Sequence, residues 1–161
     1  MRRLAAWLVA LVPFAAFPAS PPSDDDTCTI DLDADDLFAQ DRDLVVPAGR
    51  RFADAVVIRG DAVVRAGAHV KQVIALGGDV VVEDGANVEE DAIAIGGDVR
   101  VHRGAHVGSD AISIGGAVDA ARERIAGEVV ALSFDWGGTS LEEAIVKELN
   151  ARGRCTVRRD R

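Results

Sequence analysis

The chain has 161 residues, a formal net charge of −9 at pH 7, 48% hydrophobic residues and only 4% aromatics. That length suits one domain with a continuous core. The acidic balance argues against nucleic acid, and against anionic lipid held by charge.

The chain opens on Met1, Arg2 and Arg3, followed by an apolar run over residues 4–17 that Pro13 interrupts. This is the layout of a secretory signal, and the run is too short for a comfortable membrane span. Residues 1–19 are expected to be removed after Ala19, which takes away two arginines and no acids and leaves −9 − 2 = −11. An uncleaved N-terminal anchor is the alternative. Either way the folded part is expected outside the cytoplasm, periplasmic or extracellular, with no integral span once the signal is gone. Residues 20–43 form an acidic segment, with a short alternating strand over 27–32. Asp31, Asp33, Asp35 and Asp36 crowd together there, but the Gly and distal Glu of a calcium loop are missing, so a solvated loop is expected.

Residues 44–118 repeat. Stepping by six, with an occasional seven, visits Val46, Phe52, Ile58, Val64, Val70, Leu76, Val82, Val88, Ile95, Val101, Val107 and Ile114. A second small or aliphatic residue precedes nearly every one by two positions, Arg50 being the departure. An inward pair every six residues is a short period-2 strand followed by a corner. Three strands make a coil of 18 or 19 residues. The expected fold is therefore all-β, a three-sided parallel β-helix of about four coils over 44–136. The twelve residues of the series form its core. Gly49, Gly67, Gly85 and Gly104 recur at one corner, and the Gly77-Gly78-Asp79 and Gly96-Gly97-Asp98 triplets at another.

After Val118 the pattern fades, because Arg124 falls on an inward position and makes a fifth coil doubtful. Val130, Leu132, Phe134 and Trp136 alternate as a last strand. In the tail, 137–161, Ser140 and Glu143 form a capping box, and Leu141, Ala144, Ile145 and Leu149 line one helical face. This helix is expected to cap an open coil end or one flat side. Cys28 and Cys155 flank the coils, and in an exported chain a disulfide between them is the simplest reading. Two free or intermolecular thiols are the alternative. The segments around them could lie side by side as strands.

Midway between each inward pair lies an outward residue. Val45, Val63 and Val81 on the first face, with Val57, Ala75 and Ala94 on the third, make two apolar outer walls and a candidate interaction face. Either the chain's own tails cover these walls, or a second copy or an envelope protein does. The second face is polar, with Arg51, His69, Asn87 and His106. Its histidines would stand two rungs, roughly 9–10 Å, apart, too far to share a zinc ion whose ligands lie near 2 Å from it. His102 at a corner adds no pattern, and Ser109, Ser113 and Ser133 lack a recognisable base. No catalytic, cofactor or metal site is expected.

The run at residues 75–88 and its echo at 94–107 share the order Gly-Gly-Asp-Val, Val, Gly-Ala, Val. They resemble the bactofilin family, bacterial polymer-forming cytoskeletal proteins, over residues 44–118. The resemblance implies a right-handed three-sided helix, nucleotide-free end-to-end polymerisation and a scaffolding role at the envelope. The functional expectation is an exported, non-enzymatic structural protein that acts by self-association or partner docking. A hexapeptide-type enzyme, acyltransferase or carbonic-anhydrase-like, with His69, His102 and His106 as its candidates, and a small envelope adhesion or binding module are the alternatives.

Overall fold

The computed structural model describes residues 29–133, 135–136, 139–140, 147 and 156–159. After β1 (Thr29–Leu32) comes β2 (Leu37–Gln40), and the chain then winds. The first full coil holds β3 (Leu44–Val46) and β4 (Arg51–Ile58), and the second β5 (Ala62–Val64) and β6 (His69–Leu76). The third holds β7 (Val80–Val82), β8 (Asn87–Val88) and β9 (Ala92–Ile95). The fourth holds β10 (Val99–Val101), β11 (His106–Val107) and β12 (Ala111–Ile114). A fifth holds β13 (Val118–Asp119), a 3-10 turn at Arg122–Arg124 and β14 (Val129–Leu132). Beyond it β15 (Asp135–Trp136) pairs antiparallel with β16 (Thr139–Ser140), and β17 (Thr156–Arg159) pairs parallel with β1.

The result is an all-β parallel solenoid of about five turns. The first wall is β3, β5, β7, β10 and β13. The second is the front of β4 and β6, then β8, β11 and a bridge at Ile125. The third is β2, the back of β4 and β6, then β9, β12 and β14. Valine dominates the shaft because β-branched side chains fit a pleated wall and stiffen it. Val46, Val64, Val82 and Val101 on the first wall, and Val70, Val88 and Val107 on the second, are exposed by 2% or less. Burying each is worth roughly 1.5–3 kcal/mol.

The third wall runs in the opposite phase to the expected one. Ala55 and Val57, Val73 and Ala75, Ala92 and Ala94, Ala111 and Ser113 point into the shaft and are fully buried. Ile58, Leu76, Ile95 and Ile114, expected in the core, face outward and lie outside the core cluster. Val57, Ala75 and Ala94, expected on the outer face, are inside. In the first two coils the corner before this wall is a residue short, Val70 to Val73 being a step of three where Val64 to Ala68 is four. In the next two it is four, Val88 to Ala92 and Val107 to Ala111, and the expected seven-residue steps to Ile95 and Ile114 overshot the buried Ala94 and Ser113 by one. A one-residue slip turns every side chain on a strand over. Phe52, facing in on the second wall, is only partly buried but packs against the core.

Two boundaries also differ. The solenoid begins inside the stretch expected to be an acidic loop, since β2 pairs with β4 from Leu37↔Ala55 to Gln40↔Ile58. Asp36 is built into that first corner, accepting from the backbone N–H of Asp54 (3.1 Å) and of Asp33 (2.8 Å). At the far end Ile125, not Arg124, takes the inward place, at 3% exposure and beside Val107. The 3-10 turn supplies the offset, and Arg124 donates instead to the Val101 carbonyl (3.0 Å). The helix expected over 140–149 lies outside the described residues, apart from Ser140 in β16 and Lys147, which is helical. The expected bridge between Cys28 and Cys155 lies outside them too.

Candidate contact surface

Ladders of like residues build the outer surface, because each coil sits in register on the last. The corner between the third and first walls shows how that register is held. The Asp43 carboxylate accepts from the backbone N–H of Asp61 (3.0 Å), Asp61 from Asp79 (2.9 Å), Asp79 from Asp98 (2.7 Å), and Asp98 from Ala117 (2.9 Å). Each acid thus satisfies a corner N–H of the following coil that the strands cannot reach. Beside this column the backbone turns left-handed at Gly77, Gly96 and Gly115, and Arg59 and Asp41 hold the same conformation with φ of 56° and 59°. Next to them Gly60, Gly78, Gly97 and Gly116 stack so closely that a Cβ on each would strike the carbonyl of the residue one coil earlier.

On the third wall the outward residues form two columns. One runs Phe38, Val56, Ile74, Ile93, Ile112, Val130, and the other Gln40, Ile58, Leu76, Ile95, Ile114, Leu132. Of these positions on six strands only Gln40 is polar. The wall is roughly 24 Å tall at about 4.8 Å per rung. Its middle residues are half-buried against their own neighbours, and Ile58 is only 4% exposed although it faces out. The shaft side of the same strands carries Ala, Val and Ser because valines from the other two walls already fill a narrow interior. Ser113, the one buried polar residue among the described residues, donates its hydroxyl to the Gly97 carbonyl at 2.8 Å.

On the first wall Val45, Val63 and Val81 stand in register, followed by Arg100 and Asp119. Val45 is 45% exposed. Arg100 closes the valine stripe by donating to Asp79 (2.7 Å) and Asp98 (2.9 Å). The charge of Asp79 and these hydrogen bonds hold the Arg100 guanidinium protonated above its ordinary range. The N–H of Ala117, then Arg100, hold the Asp98 carboxyl below its own.

The second wall is polar, with Arg51, His69, Asn87 and His106 in register. Arg51 reaches across to Glu89 at 2.6 Å. His102, at the corner, sits 3.8 Å from Asp84. Where this wall turns into the third, burial and then the neighbouring Asp36 push the Asp54 carboxyl upward. Among the described residues no group of three or more His, Cys, Asp or Glu is placed to hold a metal ion. The recesses there are open surface hollows, one lined by Asp35, Arg51, Phe52, Ala53, Lys71 and Glu89.

The large outward aliphatics of the third wall are the surface residues that the repeat count placed in the core. The strand sequences Ala-Ile-Ala-Ile at Ala92–Ile95 and Ala-Ile-Ser-Ile at Ala111–Ile114 carried the signal, since a serine in one phase and isoleucine in the other already separates two faces. The fold defines a three-sided parallel β-solenoid whose outer faces are apolar on two sides. No family model, no curated protein and no solved structure matches the chain.

Proposed function

We propose that this is an exported, non-enzymatic structural β-helix protein of the bacterial envelope, acting through its flat faces by self-association or by docking an envelope protein. The observation that carries the reading is the pair of apolar ladders on the first and third walls. Contiguous apolar surface of this kind marks a place that something else covers. The bactofilin-like sequence runs at residues 75–88 and 94–107 support a scaffold of that general sort.

Export is supported by the basic start and apolar run of residues 1–17. A bridge between the tails is supported by the parallel register of β1 and β17, whose first pair is Thr29↔Thr156. The residues just before that pair in the sequence are Cys28 and Cys155. Among the described residues no helix is long and apolar enough to cross a membrane.

The test is the assembly size of the chain from residue 20 onward, by light scattering and negative-stain microscopy, with Val81→Lys, Ile93→Lys and a polar-wall control, Asn87→Lys. Assembly that either apolar-wall substitution reduces and the control does not supports the reading. A monomer at all concentrations that also retains no partner from envelope extract sinks it.

A further inference from the structure

We infer that the third wall docks a basic amphipathic helix of another protein, with the helix's apolar stripe on the aliphatic columns and its basic side chains against the carboxylates that border them. This rests on the contact reading above and refines it, by naming the chemistry of the partner that one wall takes.

The border is built by the same register as the wall. Asp36, Asp54, Gln72, Asp91, Asp110 and Glu128 each lie two residues before a member of the first aliphatic column, from Phe38 to Val130. Residues two apart on a strand share a face, so this column stands outside, about 7 Å from the aliphatics. Hydrogen bonds stack it rung on rung. Asp36 accepts from the Asp54 N–H (3.1 Å), Asp91 from the Asp110 N–H (3.1 Å), and Asp110 from the Glu128 N–H (2.7 Å). Past the wall's other edge runs the column of Asp43, Asp61, Asp79 and Asp98. The aliphatic strip therefore lies between two rails of negative charge.

Cations of the chain neutralise little of it. Arg100 holds Asp79 and Asp98 from the first wall. Burial and then the charge of Asp36 push the Asp54 carboxyl upward, against the opposing charge of Lys71. Among the described residues no ion pair engages Asp36, Asp61, Asp91, Asp110 or Glu128. Asp91 and Asp110 are partly exposed, and a carboxylate that accepts one backbone N–H keeps further lone pairs for a cation.

This charge chooses between occupants. Two copies joined wall to wall would set rail against rail in either orientation, on chains of formal charge −9, and like charges placed opposite each other oppose association. An anionic lipid surface meets the same repulsion. The strip also offers only a few hundred Å², short of the roughly 800 Å² per partner that a stable dimer buries. One helix fits it. A helix is about 10–12 Å across and covers two columns about 7 Å apart, and roughly 16 residues at 1.5 Å each follow the wall's height of roughly 24 Å. Lysine or arginine stems then lie along the edges of the strip while their heads reach the rails.

The probe is a fluorescein-labelled peptide of roughly 16 residues, leucine on one helical face and lysine on the other, bound to the chain from residue 20 onward and followed by fluorescence anisotropy. Saturable binding is expected, weakened roughly threefold to tenfold in the double variant Asp91→Asn, Asp110→Asn, which removes two charges and keeps both corner acceptors. Ile93→Ser should weaken it about as much. The control Asp84→Asn, Glu123→Gln removes two charges between the first and second walls and should leave binding unchanged. No saturable binding, or an equal loss in the control, would overturn the inference. A photoreactive benzoylphenylalanine at position 93 identifies the occupant: links to the peptide are expected, and links only to a second copy or to the chain's own residues 141–155 would overturn it. The two readings fail separately. A chain that binds the peptide here but stays monomeric and retains no envelope protein loses the contact function and keeps the basic-helix site. Assembly sensitive to Val81→Lys without peptide binding does the reverse.

Discussion

Neighbouring residues on the third wall give the sharpest test of which way it faces. Ala94 is fully buried between Ala75 and Ser113 of the adjoining coils, whereas Ile95, one residue on, stands outside between Leu76 and Ile114. Ala94→Asp would place a carboxylate in an apolar shaft with no cation to meet it, at a cost of several kcal/mol. Against a total stability of about 5–15 kcal/mol, that loss unfolds the chain or leaves it marginal. Ile95→Asp forfeits part of a half-buried side chain and some strand preference, about 1–2 kcal/mol together. Where another segment overlies Ile95, the charge turns that segment away and still does not enter the shaft. Urea unfolding followed by far-UV circular dichroism reads the difference. At a slope of about 1–3 kcal/mol per molar, the Ala94→Asp midpoint should fall at least about 1 M below that of Ile95→Asp. An Ile95→Asp chain as damaged as Ala94→Asp, or more so, would refute the assignment of faces.

Gly97→Ala should cost on the order of 2–3 kcal/mol in the same unfolding assay, because its Cβ meets the Gly78 carbonyl and Asp79 Oδ1 of the previous coil; a neutral substitution would refute the close stacking. Asp98, held low by the Ala117 N–H and Arg100, contributes stability that is complete above its unfolded pKa of about 3.9 and lost as pH falls through its lower folded value. Asp98→Asn should therefore flatten part of the stability loss as pH falls below about 4, while Asp54, pushed upward, works in the opposite sense and is relieved on acidification; identical acid limbs in wild type and variant would contradict this. Thiol titration of the denatured, unreduced chain should find neither Cys28 nor Cys155 free, and reduction should lower stability by up to about 4–5 kcal/mol on the loop-entropy estimate. Two reactive thiols per chain would rule the bridge out.

Two walls of the solenoid were legible in the sequence, the second because only one phase of its strands is apolar. On the second wall Val70, Val88 and Val107 alternate with His69, Asn87 and His106, so the inward side is unmistakable. The first wall keeps its phase through fixed four-residue corners such as Arg65 to Ala68. The third wall offers aliphatic residues in both phases, and following the larger ones, by sixes in the first two coils and by sevens in the next two, leads to the outer set. What decides it is shaft volume, which depends on the other two walls and is not a local property. The first and last coils were hidden for a different reason. Asp41 and Arg59 take the left-handed corner that later coils give to glycine, so the glycine signature starts one to two turns late. At the other end the 3-10 turn at Arg122–Arg124 shifts the phase by one residue, which made Arg124 look inward when Ile125 is.

The two apolar walls are not equivalent as docking faces, and their endings show why. The valine stripe on the first wall is three rungs long and stops at Arg100, whose guanidinium is already held by Asp79 and Asp98. A partner laid along this wall meets that ion cluster on the fourth rung, so the apolar contact is limited to about 10–14 Å of height. Such a stripe is too small to hold an assembly by itself at the usual interface size. The last coil supplies what it lacks, for Val129 and Leu132 of β14 are 41% and 39% exposed and β14 pairs on one side only among the described residues. An unpaired strand edge next to exposed aliphatics is a site for strand addition. Contact through the stripe would then fix lateral register, and contact through β14 would supply backbone hydrogen bonds. On this argument Val81→Lys weakens lateral association and leaves end contacts in place, so it should shorten or disperse bundles before it abolishes dimers.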